Sequence, residues 1–351
     1  MDDIAPLARA RALDPKHYLG PEALAFDQAN ILAPGWQVVA PESLLSGAGD
    51  HIVREIAGRP VIIVRGEDGV LRGFFNICRH RAGPLAACDG RGAKRLRCGY
   101  HGWAYGLDGG LRAAPGMDGA EDFDPSTLAL APIDVEVWGG LVFARARTAA
   151  SPVGAGFSDW IAGLDAWCDV AQLAQMRHHH ARVYEVASNW KVYADNYLEG
   201  YHLPWVHPKL TQVVDFPGYT TELGAYWSAQ LSEVETETAA YGAGKAVYVF
   251  LHPNTMLNIM PGRMQTNRIL PDGPDRCRVE FDFFYAPGQD HRAAEDDVFS
   301  DEVQEEDRLI CEHVQKALAS GAYEAGRLSP AHESGLWAWH RLLRKAYAAA
   351  P

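Results

Sequence analysis

Short apolar runs separated by glycine turns fill residues 36–146 and predict a domain built of β-strands. Val61–Val64 is a β-branched run, Gly66–Gly69 is a turn, and Leu71–Ile77 is a second run. Two runs joined by a glycine turn are typical of a β-hairpin. We therefore expect a hairpin that leads directly into Cys78.

The flanking segments have different patterns. Residues 1–35 read as helix and loop, and we expect them to pack on the later domain. A connector rich in Ala, Ser, Pro and Gly follows residue 146 and marks a domain boundary. Residues 147–351 combine strand-like alternation with helical patterns at Trp160–Gln175 and at about Ala294–Ser320. The predicted fold class is α+β: an all-β domain, then a domain with an antiparallel sheet and flanking helices.

Composition is that of an ordinary globular protein. At 351 residues the chain exceeds the roughly 250 to 300 at which a single core stops growing, so two domains are expected. A formal net charge of −13 would repel phosphate backbones and anionic lipid, which argues against nucleic-acid and membrane partners. No run approaches the roughly 18 apolar residues of a membrane span, and the start lacks the basic residues of a signal peptide. The cytoplasm is the expected compartment.

Two short segments carry paired metal-binding side chains. They are Cys78-x-His80 and, after seventeen intervening residues, Cys98-x-x-His101. Two thiolates and two imidazoles suit either a structural zinc or a Rieske [2Fe–2S] centre. Zinc fingers usually pair their cysteines before their histidines, whereas here each segment supplies one of each. The order therefore favours the two-iron cluster, and zinc is the alternative.

Basic side chains surround these segments in an otherwise acidic chain. Arg79, Arg81, Lys94 and Arg95 stand against a single acid, Asp89. Because complementary charge steers encounter, this face is a candidate docking site for an acidic electron donor. A solvated face or intersubunit salt bridges are the alternative.

A second histidine pair, His202 and His207, lies in an apolar and aromatic segment. Five residues along one helix would rotate the second ring by about 500°, but Pro204 interrupts a helix and allows a turn to bring both rings together. Two imidazoles and a carboxylate form the facial triad of non-haem iron oxygenases. The alternative is a pair of core histidines. The Rieske-like segments upstream favour an iron site over a pair of core histidines. A cluster that only transfers electrons would give the second domain no function.

The long helical pattern near the carboxyl end supplies a candidate third ligand. Asp307 falls inside an apolar stripe, where a carboxylate is costly unless it is paired or metal-bound. Asp296 and Asp297 are weaker candidates, for which a role at the helix N-terminus is the alternative. The stripe comprises Val303, Ile310, Cys311, Val314 and Leu318.

Together these motifs resemble those of the Rieske non-haem iron oxygenases, the ring-hydroxylating oxygenase alpha-subunit family, over nearly the whole chain. The segment NWKVYADNYLEGYHLPWVH is similar to the family's mononuclear-iron motif. The resemblance implies a Rieske domain at 36–146 and a helix-grip-like catalytic domain at 147–351. It also implies two cofactors, a [2Fe–2S] Rieske cluster and a mononuclear Fe(II) held by His202, His207 and Asp307.

The family carries an acid three residues before the first iron-binding histidine, which links it to a Rieske histidine of the neighbouring subunit. That position is Glu199, although Asp is the commoner residue there. The longer Glu resembles the choline-monooxygenase-like and carnitine-oxygenase-like branches. Residue spacing agrees, because Glu199 would share a helix face with His202 and could orient it. Asp195, one turn earlier, is the alternative.

The resemblance implies the terminal oxygenase of a multicomponent system, assembled as a homotrimer. Electrons are expected from a separate NAD(P)H-dependent flavin or iron–sulfur reductase or a ferredoxin, because the chain lacks a dinucleotide-binding glycine fingerprint. The implied reaction is O₂- and electron-dependent hydroxylation at a C–H bond, as monooxygenation or oxidative demethylation. A Rieske protein that only transfers electrons is the non-enzymatic alternative.

Branch resemblance favours quaternary ammonium or other N-methyl substrates. An apolar sterol-like or aromatic compound is the alternative substrate. Aromatic side chains could cage a quaternary ammonium by cation–π attraction, or could simply belong to the core. The candidates are Trp205, Trp227, Tyr241, Tyr248 and Phe250.

Overall fold

The computed structural model describes residues 5–147, 155–210, 218–234 and 244–349. The chain divides into two compact units. One is Leu32–Val153, and the other combines Met1–Ile31 with Gly154–Pro351. The amino-terminal segment thus belongs to the same unit as the carboxyl-terminal half of the chain.

The unit Leu32–Val153 is built of antiparallel strands. A six-stranded sheet has the order β1-β9-β8-β4-β3-β2, and a three-stranded sheet has the order β5-β6-β7. The strands are β1 (Gln37–Pro41), β2 (His51–Ile56), β3 (Arg59–Arg65), β4 (Leu71–Phe75), β5 (Leu96–Arg97), β6 (Ala104–Tyr105), β7 (Leu111–Ala113), β8 (Pro132–Trp138) and β9 (Leu141–Arg145).

The core of this unit reaches the predicted cluster segments. The β-branched run of β3 is fully buried, as its lack of alternation indicates. Ile62 and Val64 belong to one apolar cluster with Cys78, Cys98 and Trp103. Both candidate cysteines are therefore anchored in the core rather than carried on a free loop.

The other unit surrounds one seven-stranded antiparallel sheet of order β10-β16-β15-β14-β13-β12-β11. Its strands are β10 (Arg177–Val186), β11 (Thr220–Leu223), β12 (Trp227–Val234), β13 (Gly244–Leu251), β14 (Thr255–Met260), β15 (Arg263–Pro271) and β16 (Cys277–Tyr285). Its helices are α1 (Gly20–Asp27), α2 (Phe157–Trp160), α3 (Val170–Gln175), α4 (Trp190–Tyr197), α5 (Leu203–Val206), α6 (Ala293–Ala319) and α7 (Ser334–Ala348). Helix α4 packs between β15 and α6, and α7 covers β11 and β12.

Two helical predictions need correction. The single helix expected over Trp160–Gln175 is two short α-helices, α2 and α3, with a 3₁₀ turn at Leu164–Ala166 between them, because Gly163 adopts a φ of 82° that a helix does not allow. On α6 the apolar stripe is only partly buried, since Val314 is 41% exposed. Gln304 and Gln315 lie on the buried face instead, where Gln315 accepts the backbone N–H of Asn189 at 2.9 Å. No helix among the described residues is long and apolar enough to cross a membrane.

Candidate metal centres and substrate cavity

The candidate cluster ligands lie in two turns of the same backbone design. In the first turn, the N–H of Ala82 donates to the carbonyl of Cys78 at 3.0 Å. In the second, the N–H of Gly102 donates to the carbonyl of Cys98 at the same distance of 3.0 Å. Ala82 and Gly102 both have positive φ, at 56° and 76°. The two turns thus close on the carbonyl of the cysteine in the same way, and each carries its histidine within the turn, at His80 and at His101.

The cysteines of these turns are buried and the histidines are more accessible. Cys78 is 3% exposed and Cys98 is 2% exposed. The rings of His80 and His101 lie 4.6 Å apart between centroids, and His80 stacks on Trp103. In a Rieske centre the cysteines bind one iron and the histidines bind the other. These residues fit that donor set, with the histidine side nearer the surface.

Sequence reasoning missed Tyr105 on β6. Its hydroxyl accepts the backbone N–H of Arg79 at 3.0 Å and lies 3.3 Å from Sγ of Cys78. Burial, followed by the hydrogen bond to Cys78, raises the pKa of this hydroxyl. Its proton is therefore retained and can be donated to a thiolate, a contact that tunes cluster potential. The strand pattern alone does not distinguish such a tyrosine from a core residue.

The predicted docking residues Arg79, Arg81, Lys94 and Arg95 are all exposed. Asp89, the single acid among them in sequence, is paired with Arg54 at 2.8 Å. Its negative charge is thus already balanced. The structure leaves a basic surface beside the two turns.

His202, His207 and Asp307 meet in the other unit. One possible ligand atom from each lies within 4.8 Å of the other two. Nε2 of His207 is 3.1 Å from Oδ1 of Asp307, and the two histidine ring centroids are 5.1 Å apart. His207 is 1% exposed and Asp307 is 8% exposed. Two imidazoles and one buried carboxylate fit the donor set of a facial iron triad.

The local backbone explains how two histidines five residues apart converge. Helix α4 ends at Tyr197, and the chain then turns before it reaches His202. Pro204 lies in the first turn of α5, where its missing N–H costs nothing. The proline therefore starts a helix rather than interrupting one. His202 precedes α5 and His207 follows it.

Glu199 holds both the turn and the first histidine. One carboxylate oxygen accepts the backbone N–H of His202 at 3.1 Å, and the other lies 2.6 Å from its Nδ1. Nδ1 therefore carries the proton, and Nε2 is left for a metal. Asp195 instead contacts the hydroxyl of Tyr18 at 2.6 Å and Nε2 of His340 at 2.8 Å. The structure brings Glu199, not Asp195, to His202.

Glu306 contacts Nδ1 of His207 in the way that Glu199 contacts Nδ1 of His202. It was not identified from the sequence. Its Oε2 lies 2.7 Å from Nδ1 of His207. Burial would lower the pKa of His207, but the hydrogen bonds and charges of Asp307 and Glu306 outweigh it and raise the pKa. The position of Glu306 next to Asp307 does not indicate this contact, because His207 is 99 residues away in the sequence.

Asp307 is held by neutral amides. Asn196 donates to its Oδ1 at 2.6 Å, and Gln304 donates to its Oδ2 at 3.4 Å. The hydroxyl of Tyr193 in turn donates to Gln304. Amide partners orient the carboxylate without neutralising it, so its charge remains available to a cation.

The weaker third-ligand candidates have other partners. Asp297 lies 2.7 Å from His180 and 2.9 Å from Arg182. Asp296 is paired with Arg263 on β15. The ion pairs of both residues lie outside the group formed by His202, His207 and Asp307.

A cavity of about 120 Å³ opens onto the three candidate iron ligands. It lies between the sheet and α6. Tyr248 lines it, as the sequence predicts. The other aromatic residues in its wall are Tyr193, Tyr197, Tyr219 and Phe299.

The remaining predicted pocket residues lie elsewhere. Trp205 is 83% exposed on the outer side of α5. Trp227 donates to the carbonyl of Ala162 at 3.0 Å, and Phe250 packs on Trp339 of α7. Phe250 shares a strand face with Tyr248 but lies under a different helix, so alternation alone does not decide which cavity it joins. Tyr241 lies outside the described residues.

Comparison with known proteins identifies both units. The Rieske [2Fe-2S] domain model matches residues 35–127, and the ring hydroxylating alpha subunit (catalytic domain) model matches residues 173–349. The chloroplastic choline monooxygenase of Arabidopsis thaliana is 33% identical, covering 93% of this chain and 81% of that protein. The carnitine monooxygenase oxygenase subunit of Escherichia coli (strain K12) is 30% identical, covering 95% of this chain and 92% of that protein.

Solved structures agree. A quaternary ammonium Rieske monooxygenase involved in carnitine oxidation superposes with a TM-score of 0.86 at 25% identity, covering 96% of each chain. Naphthalene 1,2-dioxygenase shares the fold, with a TM-score of 0.78 at 15% identity over 99% of this chain and 95% of that one.

These matches confirm the predicted α+β fold, the [2Fe–2S] cluster and the mononuclear iron, and they exclude the zinc and pure electron-carrier alternatives. The enzyme is an oxidoreductase that takes electrons from a reductase or ferredoxin. The chain belongs to the Rieske non-haem iron oxygenases, the ring-hydroxylating alpha-subunit family, in the branch that contains choline and carnitine monooxygenases.

Proposed function

We propose that this chain is the terminal oxygenase of a system that hydroxylates a carbon attached to the nitrogen of a quaternary ammonium compound. The observation that carries the proposal is the cavity, which joins the His202, His207 and Asp307 group to a wall rich in tyrosine. Choline and carnitine monooxygenases among the relatives support the same substrate class.

We assign seven ligands. Cys78, His80, Cys98 and His101 hold the cluster, and His202, His207 and Asp307 hold the mononuclear iron. When bound, the cluster supplies single electrons and the mononuclear iron activates O₂. Glu199 and Glu306 keep the Nδ1 protons of the two histidines in place, so that both Nε2 atoms are free to bind metal.

The cavity suits a cation held by aromatic faces. The two negative charges of Glu199 and Asp307 neutralise a bound divalent iron. The negative charge of Asp296 neutralises the positive charge of Arg263, so the cavity wall carries no net charge. Tyr248, Tyr219 and Phe299 pack around an apolar cluster of the wall and can receive a trimethylammonium group. Amide side chains also line the cavity and do not suit a sterol-like compound: Gln230, Asn258, Gln265 and Asn267.

The overall reaction balances as a monooxygenation. One atom of O₂ enters a C–H bond next to nitrogen, and the other leaves as water after uptake of two electrons and two protons. The resulting N–CH(OH) carbon releases an aldehyde, a shortened amine and a proton. Leu203, Leu210 and Met260 line the cavity near the ligands and exclude bulk water from it.

Electrons are proposed to pass between subunits of a cyclic homotrimer, through Glu199 to His202 from a cluster histidine of the next copy. Exposed apolar side chains on the same unit support an interface, with Tyr201 at 49% and Trp205 at 83% exposure. The external donor is proposed to dock on the basic surface formed by Arg79, Arg81, Lys94 and Arg95. We retain the cytoplasm as the proposed compartment, since none of the six cysteines is joined in a disulfide.

The direct test supplies O₂, a reductase and a set of trimethylammonium compounds, and measures aldehyde release against electrons consumed. We expect one aldehyde for every two electrons, and no product from a sterol or a neutral aromatic compound. Turnover of the neutral compounds with none of the cations would overturn the proposed substrate class.

A further inference from the structure

The edge strand β10 carries three consecutive histidines at a β-bulge. His178 pairs with Phe284 of β16 and His180 pairs with Phe283, so His179 is an extra residue in the register. Neighbouring residues of a regular strand point to opposite faces, whereas a bulge bends the strand and changes the direction of a side chain. Here Nδ1 of His179 lies 2.8 Å from Nδ1 of His180.

The other side of the His180 ring is held by helix α6. Nε2 of His180 lies 2.7 Å from Oδ1 of Asp297, and the ring stacks on Phe283 with 4.4 Å between centroids. Because a carboxylate only accepts hydrogen bonds, Nε2 carries the proton, and a neutral His180 has its lone pair on Nδ1. A carboxylate orients metal-binding histidines in proteins in this same way.

Nδ1 of His179 approaches this lone pair from an exposed ring. The proton of a neutral His179 can lie on Nε2, where water accepts it, and both Nδ1 lone pairs are then directed to one place. Two imidazole nitrogens that bind one Zn²⁺ at about 2.0 to 2.1 Å in adjacent positions lie about 2.9 to 3.4 Å apart. The separation of 2.8 Å reaches that range with a small rotation of the exposed ring.

The neighbouring charges favour a cation. Asp297 and Asp301 share one guanidinium group, that of Arg182, at 2.9 Å and 2.6 Å. These three side chains together carry one negative charge. The chain as a whole has a formal net charge of −13, which also attracts cations to its surface.

We infer that Nδ1 of His179 and Nδ1 of His180 bind a divalent transition-metal ion such as Zn²⁺ at the surface of the sheet. Imidazole ligands suit zinc, copper and nickel rather than calcium or magnesium. Within the described ranges, three clustered ligands are found only at His202, His207 and Asp307, so water completes the coordination of this ion.

This site is separate from the candidate iron site. Asp297 precedes Asp307 by ten residues on α6, which is about 15 Å along the helix axis. The ion would strengthen the attachment of the edge strand to α6, since His180 links it to Asp297. The inference is independent of the proposed substrate.

The test is a calorimetric titration of the iron-loaded protein with Zn²⁺ under anaerobic conditions, with the iron content measured before and after. We expect one Zn²⁺ bound per chain without loss of iron, and binding at least tenfold weaker in His179→Ala. The variant should fold, because His179 is exposed and has no partner in the strand register. No binding by the parent protein, zinc uptake matched by iron release, or an unchanged affinity in His179→Ala would overturn the inference.

His178→Ala is the matched control from the same three residues. Nε2 of His178 contacts Asp282 at 2.7 Å, so this variant should bind zinc as tightly as the parent protein. Asp297→Asn keeps an acceptor for Nε2 of His180 but removes the charge, and its zinc affinity should fall about tenfold. Equal losses of affinity in His178→Ala and His179→Ala, or parental affinity in Asp297→Asn, would contradict the assignment.

Discussion

Glu199 and Asp195 look equivalent in the sequence, but their contacts separate them. Glu199 lies against Nδ1 of His202, whereas Asp195 is held by Tyr18 and His340. Glu199→Gln keeps an acceptor for the turn, so we expect both metals to be retained. Turnover should fall about 100-fold or more, because misplacing an aligned group has costs of that order.

Asp195→Asn is the comparison for that variant. It alters a structural contact and should keep most of the turnover at a temperature where the protein is folded. Full activity of Glu199→Gln, with loss of activity in Asp195→Asn, would reverse the assignment. Metal content and steady-state O₂ uptake measure both outcomes.

Tyr105 makes a second prediction at the residue scale. Tyr105→Phe removes the hydroxyl 3.3 Å from Cys78 and should lower the cluster reduction potential. A hydrogen bond stronger by about 1 kcal/mol in the reduced state corresponds to roughly 40 mV for one electron. Redox titration followed by the visible spectrum measures the shift. Tyr100→Phe is the control, because it keeps the ring against His101, and its potential should match that of the parent protein.

His207 gives a pH dependence. The pKa of this histidine is raised in the folded, metal-free protein. Protonation of His207 therefore stabilises the fold fully at pH values below the ordinary pKa of histidine, and this stabilisation is lost as the pH rises through the raised pKa. Iron must displace the same proton. Iron affinity should therefore increase as pH rises through the raised pKa of His207, with net proton release on binding. Calorimetric titration in buffers of different ionisation enthalpy tests this, and pH-independent affinity would contradict it.

At the scale of elements, α1 is tied to α4 and α7 by one aspartate. Asp27 is fully buried and contacts Lys191, accepts from Nε1 of Trp190 at 2.9 Å and from the hydroxyl of Tyr347 at 3.0 Å. Asp27→Asn leaves the ammonium of Lys191 buried without its counter-charge. We expect a loss of about 3 to 5 kcal/mol in the free energy of unfolding, measured by urea denaturation.

Glu22→Gln on the same helix is the control for that loss. Glu22 is exposed, so its replacement should change the free energy of unfolding by less than about 0.5 kcal/mol. Equal losses in the two variants would mean that the buried pair does not anchor α1.

Helices and strands could be predicted from the sequence where a single periodicity of apolar residues determines the element. The β3–β4 hairpin and the bounds of α6 follow from alternation and helical periodicity, and Asp307 follows from its place on a buried face. The residues that line the cavity could not be predicted from strand alternation. Phe250 and Tyr248 share a strand face and differ only in the helix that covers them. Glu306 did not follow either, since its contact joins residues that are distant in the chain.

At the scale of the whole molecule, transfer between subunits makes a quantitative prediction. His101→Ala disables the cluster and Asp307→Ala disables the iron site, so each variant alone should be inactive. When the two variants are co-expressed in equal amounts and assemble at random into cyclic trimers, half of the subunits keep an iron site. Half of the neighbouring subunits that donate electrons to them keep a cluster, so about one quarter of the parental activity is expected. No activity in the co-expressed mixture would place transfer within one chain.

Metal analysis of the purified protein measures whether it holds both metal centres. We expect three irons and two acid-labile sulfides per chain, and two irons with the same sulfide content and an unchanged Rieske spectrum in Asp307→Ala. Zinc without sulfide, or an Asp307→Ala protein that keeps all three irons, would contradict the assignment of the two metal centres.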